Sequence, residues 1–452
     1  MPNVIGYIAL LTTLYASLEV HAKREYIQPI RTSPGLYFDY LGELRIKNGQ
    51  LNVLIPIDIS HVSPHIANIK SVIESAERLC NQMGTLEPSE CNSVLEPLAI
   101  LYHNMVQDFT SISHLLENRS RRSAWIGGGG TILKHIFGTL DEDDGIRYNE
   151  AIKTVQGDQK KLAALMKENI LVTTSVITAF NKTLDRIKIN EANLITAIDK
   201  LSLGLQNISI KTDELLIRNY ADQILIKLET AILLLSFQIE DIVAAILFSS
   251  QNLLHPSILN PRKLYQELAE SYRHLPDDSK LPIALDLSSI HFILNISKIA
   301  SYYIDNKIIF VLQIPLVSTK EFMLFHAIAL PTPHNSVKLD SFSLIIPSSK
   351  LIAMTKDKMH YCNLENLNQC VNPTVTDYVC DVTNVYASDA KPSCESELMT
   401  KVISEIPVQC ATKFIYGKLD IWKAIMAPSV QDIELDRLDQ EVIQLPSIRS
   451  RI

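Results

Sequence analysis

No proline interrupts the 452-residue chain between Pro97 and Pro256, and no cysteine lies between Cys91 and Cys362. A helix interior tolerates proline badly, so the first gap predicts a long helical middle. Catalytic signatures are missing as well. There is no Gly-x-Ser-x-Gly, no His-Glu-x-x-His and no Gly-Lys-Ser/Thr nucleotide loop, so no catalytic residue and no enzymatic reading emerge. C-x-x-C knuckles are absent, and His61-x-x-x-His65 beside Pro64 reads as a turn rather than a metal pair. Neither a metal nor another cofactor is expected. With a formal net charge of -8 and no basic patch interleaved with aromatics, nucleic acid is excluded as a partner. No late segment approaches twenty apolar residues, the length a membrane span needs. The strongest run, Ala231 to Phe248, is broken by Gln238, Glu240 and Asp241 and reads as a buried amphipathic helix.

What is present is an ordinary globular balance, 47% hydrophobic and 20% charged, which argues against disorder. Val4 to Leu18 is an almost uninterrupted apolar run followed by Val20-His21-Ala22 and the pair Lys23–Arg24. That pattern fits a signal peptide cut after Ala22, with a buried N-terminal strand or helix as the alternative. Passage through the secretory pathway makes the seven cysteines a disulfide framework: Cys80 and Cys91 early, then Cys362, Cys370, Cys380, Cys394 and Cys410. Seven is odd, so one thiol stays free, or its partner was lost or belongs to another chain. Asn118, Asn181, Asn207 and Asn295 head Asn-x-Ser/Thr triplets and become candidate glycan acceptors.

Before the helical middle, Leu36–Ile46 and Leu51–Ile57 read as two strands with Gly49 near the turn between them. Ile66–Cys80 and Leu95–Leu116 have helical spacing. After the middle, the runs at Ile308–Leu312, Phe322–Phe325, Phe342–Ile346 and Leu351–Met354 predict a β-rich domain.

The most informative stretch lies where the helical middle begins. Arg119-Ser120-Arg121-Arg122 matches the Arg-x-Lys/Arg-Arg pattern that furin-like proteases cut, here before Ser123. The residues that follow are glycine-rich and apolar: Trp125, Ile126, Gly127, Gly128, Gly129, Gly130, Ile132, Leu133, Ile136 and Phe137. A loose apolar segment with aromatics suits shallow insertion at a bilayer surface, and Lys134 and His135 argue against spanning. A plain flexible linker is the alternative. The acidic run Asp141–Asp144 then suits the start of a helix near Ile146, where negative charge complements the dipole.

That helix carries a heptad seam through Ile152, Val155, Gln159, Leu162, Met166, Asn169, Thr173, Val176 and Phe180. After one extra step of four it resumes at Leu184, Ile187, Glu191, Leu194, Ile198, Leu201, Leu205 and Ile208. Ile170 to Ile177 is dense in β-branched residues, so this part of the seam suits a strand in one state and a helix in another, or one fixed amphipathic helix.

The order of signal peptide, basic cleavage site, glycine-rich apolar segment, acidic break and heptad helix resembles class I viral fusion glycoproteins. More narrowly, it is similar to the envelope fusion proteins of baculoviruses and of insect gypsy-type endogenous retroviruses. The stretches that carry this are Arg119–Arg122, Ile136–Asp144, Leu254–Leu259, Ile308–Leu316 and the cysteine series with Pro407-Val408-Gln409-Cys410. The resemblance implies an α+β ectodomain with a heptad-bearing middle and a β-rich, disulfide-containing C-terminal domain. It divides the chain into signal peptide (1–22), small N-terminal fragment (23–122), fusion peptide (123–140), helical region (141–255), a helix with a β-rich domain (256–360), cysteine-rich segment (361–426) and polar tail (427–452).

The same resemblance implies a homotrimer whose partners are a target membrane lipid, a cell-surface receptor and a furin-like protease. It also implies a disulfide from Cys80 or Cys91 to one of the C-terminal cysteines, and low pH as a trigger sensed by His135 or other histidines. Family members continue into a membrane anchor that this sequence does not show. The expectation is therefore an extracellular, anchorless fusion glycoprotein. The alternative is a host-adopted secreted protein that binds a receptor and interferes with infection.

Overall fold

The computed structural model describes residues 35–82, 88–117, 134–137, 142–206, 214–335, 337–338, 340–402 and 405–416. The chain is mixed α and β, with its helices in the middle and most strands after them. It divides into two compact units. The described parts of one are residues 42–322 and 367–384; those of the other are residues 35–41 together with stretches of 323–366 and 385–416.

The first strand, β1 (Leu36–Asp58), runs straight through the polar stretch where a turn was expected. Gly49 lies in mid-strand. The side chain of Asn48 donates to Asp278 O and Ser279 Oγ at 2.9 and 3.0 Å, so the polar residues cover a strand edge instead of folding back. Beyond it, Leu51, Val53, Leu54, Ile55 and Ile57 are fully buried. Two helices follow, α1 (Val62–Gln82) and α2 (Pro88–Glu117), which contain the two expected helical stretches. Pro97 sits inside α2, so that proline does not mark a helix end.

The helical middle is real but not continuous. After β2 (Lys134–Phe137) come α3 (Glu142–Gly157), a short 3-10 turn (Gln159–Lys161), α4 (Leu162–Lys167) and β3 (Ile170–Val172). Two long helices complete it, α5 (Thr174–Gln206) and α6 (Glu214–Ser250). Helix α3 starts inside the acidic run, which places Asp143 and Asp144 in its first turn. Ala221–Ser250 within α6 is long and apolar enough to cross a membrane by composition alone. Ile224, Leu228, Ile232, Leu235, Ile239, Ile242 and Ile246 on it are nonetheless buried in the main core, against α1, α2 and α5, as a core helix requires.

Helix α7 (Pro261–Ser271) is capped by Asn260, whose side chain accepts from Lys263 N at 2.9 Å. A short strand, β4 (Ser279–Lys280), and helix α8 (Ile290–Ile296) lead to β5 (Lys298–Ile304) and β6 (Lys307–Ala329). Strand β6 merges two runs that the sequence separated. It accommodates Pro315 because β5 pairs with it up to Gln313 and β4 from Val317, so the missing amide falls between partners. Two residues with positive φ, Asp305 and Asn306, make the tight β5–β6 turn.

In the other unit, β7 (Thr332–Pro333), β8 (Ser341–Ile346) and β14 (Ala411–Tyr416) form a three-stranded antiparallel sheet. Strand β9 (Leu351–Thr355) pairs with β10 (His360–Leu364), and β10 with β13 (Tyr386–Ala387). Helix α9 (Cys394–Thr400) has a capping box between Ser393 and Ser396. Strands β11 (Cys370–Val371) and β12 (Asp377–Cys380) belong with β1 in the helix-bearing unit.

Candidate functional site

The site is the stretch from β2 to α5, together with what holds it down. Strand β2 is the last part of the glycine-rich apolar segment. It pairs antiparallel with β5, Lys134 opposite Tyr303 and Phe137 opposite Ser301, and Ile136 is 1% exposed. A segment expected to be loose therefore ends in a sheet. Four residues without alternation gave no strand signal. Arg119, Arg121, Arg122, Ser123, Trp125, Ile126, Gly127 to Gly130, Ile132 and Leu133 lie outside the described residues, as do Asn118 and Asn207.

Helix α3 packs on the other side of the same hairpin. Tyr148, Ala151, Ile152 and Val155 are buried among Leu54, Ile170, Val172, Ala300, Tyr302, Ile304, Ile309 and Val311. Asp305 at the β5–β6 turn accepts from Asn149 Nδ2 at 3.0 Å and Lys153 Nζ at 2.8 Å, and those two donors hold its carboxyl below the usual carboxylate range. The Tyr302 hydroxyl is buried without a hydrogen-bond partner, and burial raises its pKa.

The expected seam is interrupted between α3 and α5. Asn169 takes φ +60°, and the backbone then pairs parallel with β1: Asn52 opposite Ile170, Val53 opposite Leu171, Leu54 opposite Val172. Thr173 closes the strand by donating to Leu54 O from both its amide and its hydroxyl, each at 3.0 Å. Ile170 to Val172 are fully buried, so the first half of the β-branched cluster is a core strand, while Thr174, Val176 and Ile177 lie in helix α5. The N-terminus of α5 is capped from far away: Glu267 of α7, itself buried, accepts from Ser175 N at 2.8 Å. Nothing in the sequence spacing pointed to that contact, because 92 residues separate the pair.

Within α5, the seam residues Val176, Ile187, Glu191 and Leu194 are all buried, occupied by intrachain packing. Glu191 is the polar one. Its Oε1 lies 2.7 Å from Nδ1 of His65, and its Oε2 accepts from Asn68 Nδ2 at 3.2 Å. His61 stands one turn before His65, with its ring 5.9 Å from the His65 ring and 5.1 Å from that of Phe180. The His61–His65 pair thus lies at the turn into α1, and of the two only His65 engages the Glu191 carboxylate, both ring nitrogens of His61 being buried without a hydrogen-bond partner. Among the described residues no group of three or more His, Cys, Asp or Glu is arranged to hold a metal.

Among the described residues the cysteines form two short links, Cys370–Cys380 and Cys394–Cys410. Cys362 is the free thiol, buried in β10, where burial pushes it up to about 12. Four of the five C-terminal cysteines are thus paired among themselves and the fifth, Cys362, is free, so the expected disulfide from this cluster to Cys80 or Cys91 is not formed in this structure. Asn181 on α5 and Asn295 on α8 are exposed.

A family model described as Baculovirus F protein matches residues 3–415. The chain is also 22% identical over 241 residues to the envelope fusion protein of Lymantria dispar multicapsid nuclear polyhedrosis virus. That alignment takes in 52% of this chain and 31% of the viral protein, so the chain spans less than a third of that relative's length. With a family model running through almost all of the described fold, the chain belongs to the Baculovirus F protein family.

Proposed function

We propose that the chain is an envelope-type membrane-fusion glycoprotein, held in a compact state that cleavage after Arg122 makes ready to refold. With β2 paired to β5, cleavage leaves 11 residues, Ser123 to Leu133, between the new chain end and β2. Fully extended they reach roughly 35–40 Å, enough to touch a nearby bilayer but not to carry the fold onto it. Reaching further requires β2 to leave β5. If α3, α4, β3 and α5 then joined as one helix from Glu142 to Gln206, its 65 residues would extend about 100 Å. Seam residues now buried within one chain would be freed to pack against copies in a trimeric coil.

The observation that carries this reading is the strand at Ile170–Val172, a β-branched insert that breaks a heptad pattern fit for one helix. The same segment has two plausible partners: β1 in the compact state and its own helical neighbours in an extended one. Acting at a host membrane, the protein would travel through the secretory pathway to the outside of the cell, meet a receptor there, and need no catalytic residue or cofactor.

Liposome flotation tests it. The chain cut by a furin-like protease is expected to float with anionic liposomes, whereas Arg122→Ala, left uncut, stays at the bottom of the gradient. Equal flotation of cut and uncut protein overturns the proposal.

A further inference from the structure

Two of the paired cysteines face each other across a ladder. Cys370 of β11 stands directly opposite Cys380 of β12, as Val371 does opposite Val379. Residues so placed hold their Cβ atoms about 4.5–5.5 Å apart, whereas a disulfide needs about 3.8 Å. The bridge therefore draws the two Cα atoms to 4.1 Å, inside the lower bound of about 4.4 Å that disulfides usually keep. A bridge held off its ordinary span is more readily reduced. The other link is placed differently. Cys394–Cys410 joins the first residue of α9 to the residue before β14, with Cα atoms 4.7 Å apart, and Cys394 packs with Leu36 and Ile345.

Little besides the bridge secures β11. It is two residues long, stands at the end of its sheet, and the Cys370 amide donates to Leu367 O at 2.9 Å within its own turn. Cys370 is half-buried and Cys380 fully buried, so Cys370 is the more open to an attacking thiolate. Strand β12 carries the consequence. It pairs parallel with β1 from Glu43 to Ile46, and Asp377 accepts from Arg45 Nη1 at 2.6 Å while the same nitrogen donates to Pro282 O at 2.8 Å. Further along the same strand, Asn52 to Leu54 hold β3.

We propose that Cys370–Cys380 is a redox clasp on β1, opened by an extracellular dithiol, and that opening it loosens the strand on which β3 rests. This rests on the refolding reading above and adds a control to it. One thiolate of the dithiol attacks Sγ of Cys370; the S–S bond breaks, and Cys380 leaves as a thiolate that takes up a proton. The second thiol of the reductant then displaces Cys370 from the mixed disulfide. Two electrons pass to the protein, which gains two thiols, and the reductant is left as its own disulfide. Once the link across a sequence separation of 10 is cut, parting of β11 and β12 from β1 is expected to become about a hundredfold more frequent, the chain entropy that closure had removed.

Graded dithiothreitol on the uncut full-length chain, at neutral pH without denaturant, tests the clasp when the thiols formed are alkylated and located by mass spectrometry. Cys370 and Cys380 are expected to be labelled together, at least about tenfold faster than Cys394 and Cys410. Hydrogen exchange on the reduced protein is expected to show Glu43–Ile46 and Asp377–Cys380 losing protection, Ile170–Val172 following, and Ser341–Ile346 unchanged. Cys370→Ala combined with Cys380→Ala should reproduce that loss without reductant. Equal reduction of both links overturns the clasp, as does unaltered protection of Asp377–Cys380 in reduced wild type and in the double variant. Full protection of Ile170–Val172 after β12 has opened overturns its link to β3. A clasp that opens as described, in a cut protein that never floats with liposomes, would stand while the membrane reading falls.

Discussion

The stretch from β2 to α5 and the β-rich unit around β8, β9 and α9 secure their buried polar groups in opposite ways. In the β-rich unit, Glu395 is fully buried and accepts from the amides of Ser348 and Ser349 and from the Ser348 hydroxyl, while Cys394 next to it is covalently tied to Cys410. Both oxygens of that carboxylate are occupied by donors from one loop, although Asn363 Oδ1 in β10 of the same unit stays buried and unpaired. In the stretch from β2 to α5, by contrast, support comes from distant residues and is incomplete: Glu267 caps α5, Asn169 sits at positive φ, and Asn149, Asn169 and Ser175 each keep a buried polar atom unpaired. Cross-linked local satisfaction suits a scaffold. Borrowed and partial satisfaction suits a segment whose other arrangement costs little to reach.

The comparison can be broken most forcefully at β3. Ile170→Ala removes a fully buried side chain that lies off the heptad seam. It is expected to cost the compact state about 2–5 kcal/mol in chemical denaturation while sparing a coil, so cut protein should refold sooner. Unchanged flotation kinetics alongside that loss would mean β3 does not restrain the change. On the scaffold side, replacing both Cys394 and Cys410 by Ser is expected to cost about 3 kcal/mol, by loop closure over 16 residues. That loss should appear as earlier melting of β8, β9 and β14, with β2 and β3 exchange unaltered.

Smaller effects sharpen it. Glu267→Gln keeps an acceptor but removes the charge at the start of α5, and a loss of about 1 kcal/mol, confined to exchange of the first turn of α5, is expected. Asn169→Ala places a Cβ residue without a local hydrogen-bonding side chain at φ +60°, costing about 1 kcal/mol in thermal unfolding of the compact state. The same change improves helix propensity across the break, so it should favour the elongated form.

Much of this architecture was legible because periodicity reports packing. The helices at 62–82 and 88–117 and the strands at 341–346 and 351–355 follow their apolar patterns. The dual character of Ile170–Ile177 was readable from β-branching, although which half would be strand was not, since that depends on β1 lying alongside. Two expected strand pairs proved to be single long strands. Gly49 and Pro315 resemble breaks locally, but partner spacing decides whether a ladder tolerates them. Glu191 was one of several polar residues in the seam, and nothing in the spacing linked it to His65, 126 residues away. Cysteine spacing marked a framework without fixing which pairs form.

The most direct measurement is amide exchange in the full chain before and after cleavage with a furin-like protease, at about pH 5. The account requires Lys134–Phe137 and Ile170–Val172 to lose protection after cutting while Ser341–Ile346 and Leu351–Thr355 keep theirs. Unchanged protection of both β2 and β3, or equal loss in all four strands, would contradict it.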